Sequence, residues 1–274
     1  MRRRFTVAAV QMRSTADVEA NLAQAEALGE EALEQGADLI AFPENLAFLR
    51  EGTAFPEPEG LDGTVARRLR RLARRWRRHV LAGSIPEKVE GDRASRIYNT
   101  SLLLTPKGEI AAVYRKLHLF DVRVPGRAEF EESRLVAAGK DVVVADTALG
   151  KLGLSICYDL RFPELYRRLT RAGAQVLFVP SAFTAYTGAA HWTVLLRARA
   201  IENQCWVVAP AQWGRHNPGR LSYGHTSVID PWGRVVATRA RGTGVVLAEI
   251  DRDLMAQTRR EMPCLEHTRP ELLP

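Results

Sequence analysis

The sequence predicts an α/β fold of layered type with mixed sheets. Three observations carry that expectation. Strand-like and helix-like segments alternate along all 274 residues, the pattern of helices packed on sheets. Two hairpin signatures interrupt the alternation, so antiparallel pairs join the parallel ones. No repeat, low-complexity tract or linker divides the chain, which reads as a single domain over 1–274.

Taken in order, residues 6–11 form a first strand behind the basic tag Arg2-Arg3-Arg4, with an apolar run too short for a leader or a membrane span. Residues 16–35 carry helical periodicity, with Thr15-Ala16-Asp17 at the start and Gly36 as a stop. Residues 38–42 are a buried-strand run ending in Pro43-Glu44. A basic helix follows, in which Val65, Leu69, Leu72 and Trp76 make one stripe and arginines fill the other face. Residues 80–85 are a strand, and 97–104 with 110–114 bracket a hairpin turn. Residues 120–139 are polar, include Pro125-Gly126, and read as a long loop. Strands at 142–145 and 152–156 precede a helix at 163–171 that Pro163 opens. A strand at 176–179, a loop at 180–188, a helix at 189–204 and a strand at 206–209 come next. Segments 224–229 and 235–238 bracket the turn Asp230-Pro231-Trp232-Gly233 as a second hairpin. A strand at 245–250, a helix at 251–261 and an extended tail at 262–274 complete the chain.

Composition narrows the function. No run is apolar enough to cross a membrane as a helix. The three cysteines are odd in number and lack metal or redox spacing, which argues against a disulfide frame or a zinc site and fits a reducing cytoplasm. No metal and no organic cofactor is expected. The net charge of +7 comes mainly from the basic helix. No aromatic-interleaved platform accompanies it, so it reads as a solvated helix face and no nucleic-acid partner is expected, although a basic nucleic-acid-binding protein is the alternative outside the enzymes. Only five of the 39 basic residues are lysines. A lysine kept in so arginine-rich a chain is a candidate for work that a guanidinium performs poorly.

Chemistry concentrates at strand ends, the usual home of active sites in α/β proteins. Cys157 stands between a strand and a helical pattern, where unpaired N–H groups favour a thiolate and an oxyanion. Glu44 and Lys116 each follow a strand, and Glu132 lies in the polar loop beyond Lys116. A glutamate near an ammonium in a dry site exchanges a proton with a thiol, and the ammonium holds a developing oxyanion. Each residue alone has a plainer role: a turn cap for Glu44, a surface charge for Lys116, a small buried hydrophobe for Cys157. Histidine is the commoner partner of a catalytic cysteine, and spacing leaves His118, His191 and His225 open.

Phe42-Pro43-Glu44, Tyr114-Arg115-Lys116-Leu117-His118-Leu119 and Ile156-Cys157-Tyr158-Asp159-Leu160-Arg161-Phe162-Pro163-Glu164 resemble the three signatures of the nitrilase superfamily of carbon–nitrogen hydrolases. Ser181-Ala182-Phe183, His191-Trp192, Gln212-Trp213-Gly214-Arg215-His216 and Ser222-Tyr223-Gly224-His225-Thr226 are similar to its Nit branch, and the likeness runs through the tail. The resemblance implies an αββα sandwich that pairs into four-layered or larger homo-oligomers, with the tail at a dimer interface. It implies Glu44 as general base, Lys116 as oxyanion cation, Cys157 as nucleophile and Glu132, or its neighbour Glu131, as a second glutamate. Tyr158, through its backbone N–H, Arg161, Phe183, His191 and Arg215 become substrate-binding candidates. Arg199 with Glu202 reads equally as a helix-surface pair or a pair buried beside the site. The activity implied is hydrolysis of a small amide, through a cysteine thioester with release of ammonia. An α-keto amide such as deaminated glutathione is the first choice, and ω-amides and N-carbamoyl amino acids are the alternatives.

Overall fold

The computed structural model describes residues 2–52, 55–124, 128–269 and 271–272. Pro125-Gly126 and parts of the tail lie outside the described residues. In chain order the elements are β1 (Arg4–Gln11), α1 (Val18–Glu34), β2 (Leu39–Ala41), α2 (Thr64–Trp76), β3 (His79–Lys88), β4 (Ile97–Leu104), β5 (Ile110–Arg115), β6 (Asp121–Val124) and β7 (Ala128–Glu131). There follow β8 (Val144–Thr147), β9 (Gly150–Leu154), α3 (Pro163–Arg171), β10 (Val176–Phe178), α4 (Ala185–Asn203), β11 (Trp206–Ala209), β12 (Trp213–Asn217), β13 (Arg220–Tyr223), β14 (Thr226–Ile229), β15 (Val235–Arg239), β16 (Gly244–Asp251) and α5 (Arg252–Glu261).

Two six-stranded sheets, β16-β1-β2-β3-β4-β5 and β15-β14-β11-β10-β9-β8, each combine parallel and antiparallel pairs. Their inner faces meet over Val7, Ala9, Leu39, Leu81, Leu152, Leu154, Val176 and Phe178. The outer face of the first sheet, through Ala8, Val10, Ile40 and Val80, packs on Leu22 and Ala25 of α1 and on Leu69 and Trp76 of α2. That of the second, through Leu177, Val207 and Ala209, packs on α3 and α4. The result is the four-layered αββα order. Central strands covered on both faces explain why their sequences are unbroken apolar runs rather than alternating ones.

Several local expectations are corrected. The segment 120–139 is not a plain loop: it holds the hairpin β6–β7 and a 3-10 turn, Glu132–Arg134. Its strands are too short and polar to carry a periodic signal, and Phe120 stacking on Phe130 at 5.1 Å supplies the packing. The hairpin β12–β13 has no strand counterpart in the sequence reading for the same reason. Helix α4 starts at Ala185, inside the segment read as a loop, and its Gly188 packs so closely that a Cβ there would stand 2.4 Å from that of Tyr223. The tail is not extended throughout, since Glu266 and His267 donate back to the Pro263 carbonyl in a turn. Arginines of α2 are not wholly solvated either. Arg68 and Arg75 reach Glu19 and Glu26 of α1, the latter pair at 2.6 Å.

Candidate active site

Backbone packing places the three strand-end residues together. Glu44 leaves β2 past Gly83 of β3, where a Cβ would stand 2.1 Å from the Phe42 carbonyl oxygen, so only glycine lets the chain pass. The Asn45 N–H donates to Ser84 Oγ (2.9 Å), and Gln212 Nε2, from the segment between β11 and β12, donates to the Glu44 carbonyl (3.0 Å). Lys116 directly follows β5, with its N–H on the Asn99 carbonyl at 3.0 Å.

Cys157 follows β9 and opens a 3-10 turn, Cys157–Arg161, rather than the helix itself. Its φ of +50° is a left-handed conformation that costs a non-glycine residue on the order of 1–3 kcal/mol and persists where surroundings over-determine it. Those surroundings are visible. The Cys157 N–H donates to the Pro180 carbonyl at 3.0 Å. Asp159, fully buried, accepts from the Ile156 N–H (2.8 Å), the Tyr114 hydroxyl (2.5 Å), the His118 N–H (3.1 Å) and His118 Nδ1 (2.7 Å). From α4, Arg199 donates to the Leu160 carbonyl (3.0 Å) and pairs with Glu202 (2.8 Å). This Arg199–Glu202 pair is thus neither a free surface pair nor in the pocket; it clamps the turn from beneath.

The side chains converge on an ion cluster. Lys116 Nζ lies 3.2 Å from Glu44 Oε1 and 3.0 and 2.9 Å from the two oxygens of Glu132. Glu44 Oε1 also accepts from Asn99 Nδ2 at 2.9 Å, its Oε2 accepts from the Ala182 N–H at 2.7 Å, and the carboxylate takes a hydrogen bond from the Cys157 thiol. Glu132 is held by the Phe120 N–H at 2.6 Å, while Glu131 turns outward to Arg134. The glutamate beside the lysine is therefore Glu132.

Burial alone would protonate Glu44, but the Lys116 charge and the thiol hydrogen bond outweigh it and hold the carboxyl below its ordinary range. Burial likewise opposes the Lys116 charge, and the two glutamates override it, so the ammonium is raised above its usual value. Burial and the Glu44 charge push the Cys157 thiol well up, against a smaller pull from Lys116. This corrects the thiolate expectation. The resting pair is a neutral thiol against a charged carboxylate, because burial and the Glu44 charge both disfavour a thiolate.

An open pocket of about 850 Å³ lies over this cluster. Tyr158 and Phe183 line it. Arg161 sits behind them, its guanidinium 5.7 and 5.1 Å from their ring centroids and 3.1 Å from Nδ1 of the exposed His191. Arg215 points away: it is exposed and donates to the Pro218 carbonyl. Among the described residues no histidine lines the pocket. His118 is bound to Asp159 and stacked on Phe162 at 3.7 Å, and His225 stacks on Tyr223 at 3.9 Å. Asn99, Arg50, Arg220, Phe48 and Phe55 line the pocket without having been singled out in the sequence. Asn99 alone left a signal there, as an amide beside Thr100 and Ser101 at the start of a strand that ends in an apolar run. Among the described residues no group of three or more His, Cys, Asp or Glu is arranged to hold a metal ion.

Comparison with known proteins places this geometry. The family model described as carbon-nitrogen hydrolase matches residues 6–260. A deaminated glutathione amidase of Synechocystis is 48% identical over 266 residues, covering 96% of this chain and 97% of that one. The crystal structure of the Caenorhabditis elegans NitFhit protein aligns with a TM-score of 0.91 and 41% identity, covering 99% of this chain and 66% of that one. The structure of Saccharomyces cerevisiae Nit3, a member of branch 10 of the nitrilase superfamily, aligns with a TM-score of 0.86 and 31% identity over 95% of both chains.

Proposed function

This chain belongs to the carbon–nitrogen hydrolase family and is an amidase, and we propose that it cleaves the amide of deaminated glutathione through Cys157. One observation carries the choice of residues: a single buried carboxylate, Glu44, contacts both the thiol of Cys157 and the ammonium of Lys116. As sulfur attacks the amide carbon, the thiol proton passes to Glu44 and negative charge moves to the carbonyl oxygen. The Lys116 ammonium and the Tyr158 N–H, in the first turn after Cys157, receive that oxyanion. Glu44 returns the proton to the departing nitrogen, leaving a thioester on Cys157. Glu44 then takes a proton from water, the hydroxide displaces the thiolate, and the thiol is regenerated. Glu132 holds Lys116 in place and balances its charge.

The substrate reading draws on the relative named above. It refines the leaving group: deaminated glutathione releases cysteinylglycine and 2-oxoglutarate, whereas ammonia leaves from a primary ω-amide or an N-carbamoyl group. The whole chain, 1–274, is read as one catalytic domain acting in the cytoplasm as a homodimer. Supporting the dimer, Val194 and Ile201 of α4 and Trp232 of the β14–β15 turn are exposed, and Arg197 of α4 donates to the Gly233 carbonyl, tying that turn to the helix. Light scattering reads that assembly.

Mass spectrometry of the reaction tests the chemistry. Wild type is expected to form 2-oxoglutarate and cysteinylglycine in equal amounts. Cys157→Ala is expected to lose turnover by several orders of magnitude while keeping its melting temperature. Ammonia release from 2-oxoglutaramate alone, or from an N-carbamoyl amino acid alone, would replace the substrate reading; an active Cys157→Ala would sink the mechanism.

A further inference from the structure

Most charges turned into this molecule are matched. Lys116 has two glutamates, Arg199 has Glu202, and Asp159 has His118. Arg50 and Arg220 break that rule. Both line the pocket, and among the described residues neither has a carboxylate partner. Arg220 Nε is buried with no hydrogen-bond partner among the described residues. Among the described residues Arg50 donates only to the Gly52 carbonyl, with its guanidinium 6.0 Å from the Phe55 ring centroid. The two are also tied together. Asn217 Nδ2, opposite Arg220 in the β12–β13 hairpin, donates to the Arg50 carbonyl at 3.2 Å. Two guanidiniums without an ion-pair partner on one half-buried wall repel each other, and burial and Arg220 together weaken the Arg50 charge against a smaller support from Glu132. An anion between them removes that cost.

We propose that Arg50 and Arg220 form a carboxylate clamp on the leaving-group side of the pocket, selecting amides whose departing amine ends in a carboxylate. The clamp rests on the amidase reading above and deepens it. The cluster of Glu44, Glu132 and Lys116 carries one net negative charge and repels an anionic substrate. The two guanidiniums reverse that sign. Side is assigned by the proton path. Glu44 must protonate the departing nitrogen, the field of Arg220 reaches Glu44 and that of Arg50 reaches Glu132, and the choice of side is itself what the substrate comparison below reads. The acyl group stays on Cys157, beside Tyr158 and Phe183, with Arg161 behind them.

The test compares deaminated glutathione with its C-terminal carboxamide, which differs only in lacking the glycine carboxylate. Wild type is expected to prefer the acid in kcat/KM by roughly 10-fold or more, as charge-assisted hydrogen bonds allow. Arg220→Gln and Arg50→Gln should erase the preference, mainly by raising KM for the acid, and Arg220→Lys should restore part of it. Arg50 lies in a loop, so its variant serves if Arg220→Gln fails to fold. A wild type that treats acid and carboxamide alike, or variants that lose both substrates equally, overturns the clamp and leaves the amidase reading standing. A wild type that cleaves neither overturns the substrate reading and the clamp with it.

Discussion

At the scale of single residues, charge state decides what Cys157 does. A thiol pushed up by burial and by a neighbouring carboxylate is inert until substrate brings an electrophile to it, so proton transfer to Glu44 accompanies attack. Glu44 is competent because its carboxyl lies below the ordinary value of 4.5. The acid limb of kcat/KM therefore falls below that pH, and the stability Glu44 contributes above pH 4.5 is lost as pH falls through its depressed folded value. Asn99 is one of the donors holding the charged form. Asn99→Ala should move the acid limb upward by about one pH unit, the equivalent of one charge-assisted hydrogen bond. A pH–rate profile reads this, and an unmoved limb would assign Asn99 to packing alone. The motif residues were legible from the chain because each follows a strand. Asn99 was half legible, and Arg220 was hidden among so many arginines.

At the scale of elements, the turn Cys157–Arg161 is the piece most shaped by distant partners. Its left-handed start is held by Asp159, which gathers donors from Ile156, Tyr114 and His118. In Asp159→Asn the amide Nδ2 would have to face one set of these donors. A cost of about 2–3 kcal/mol follows, with a fall of roughly 5 °C in melting temperature and a larger loss in kcat than in KM. Calorimetry with steady-state kinetics checks it; unchanged kcat would mean the turn keeps its shape without the carboxylate. Helices with caps and stripes, such as the one opened by Pro163, were readable because their signals are local. The β6–β7 and β12–β13 hairpins were not, because short polar strands have no periodicity and are fixed by what they pack against.

At the scale of the whole molecule, the two sheets are joined by apolar packing between them and by polar ties at the site edge. Gln212 bridges Ser14 and the Glu44 carbonyl, and His216 spans the Ser14 carbonyl (2.8 Å) and Ser222 Oγ (2.9 Å). A carbonyl takes a proton from Nδ1, so Nε2 accepts from Ser222 and the ring is neutral. Burial pushes His216 down from 6.5 to about 4, aided by Arg220 and Arg13 and opposed by its bond to Ser14. A histidine depressed on folding is protonated first in the unfolded chain. Its stability term is complete above pH 6.5 and is lost as pH falls toward 4, by up to about 3 kcal/mol. His216→Gln should flatten the pH dependence of denaturant stability across that window, and an unchanged slope would remove His216 as its source.

The sequence by itself determined the layered class, the strand-end motifs, the family and the type of bond cleaved, since periodicity and motif spacing are properties of neighbours along the chain. Tertiary structure alone decided that Cys157 rests as a thiol, that Glu132 rather than Glu131 meets Lys116, that Arg199 clamps the turn, and that Arg50 and Arg220 face the pocket while Arg215 does not. Those facts depend on burial and on charges brought together from residues 16 to 72 positions apart, and no local pattern in a chain encodes the distance between them.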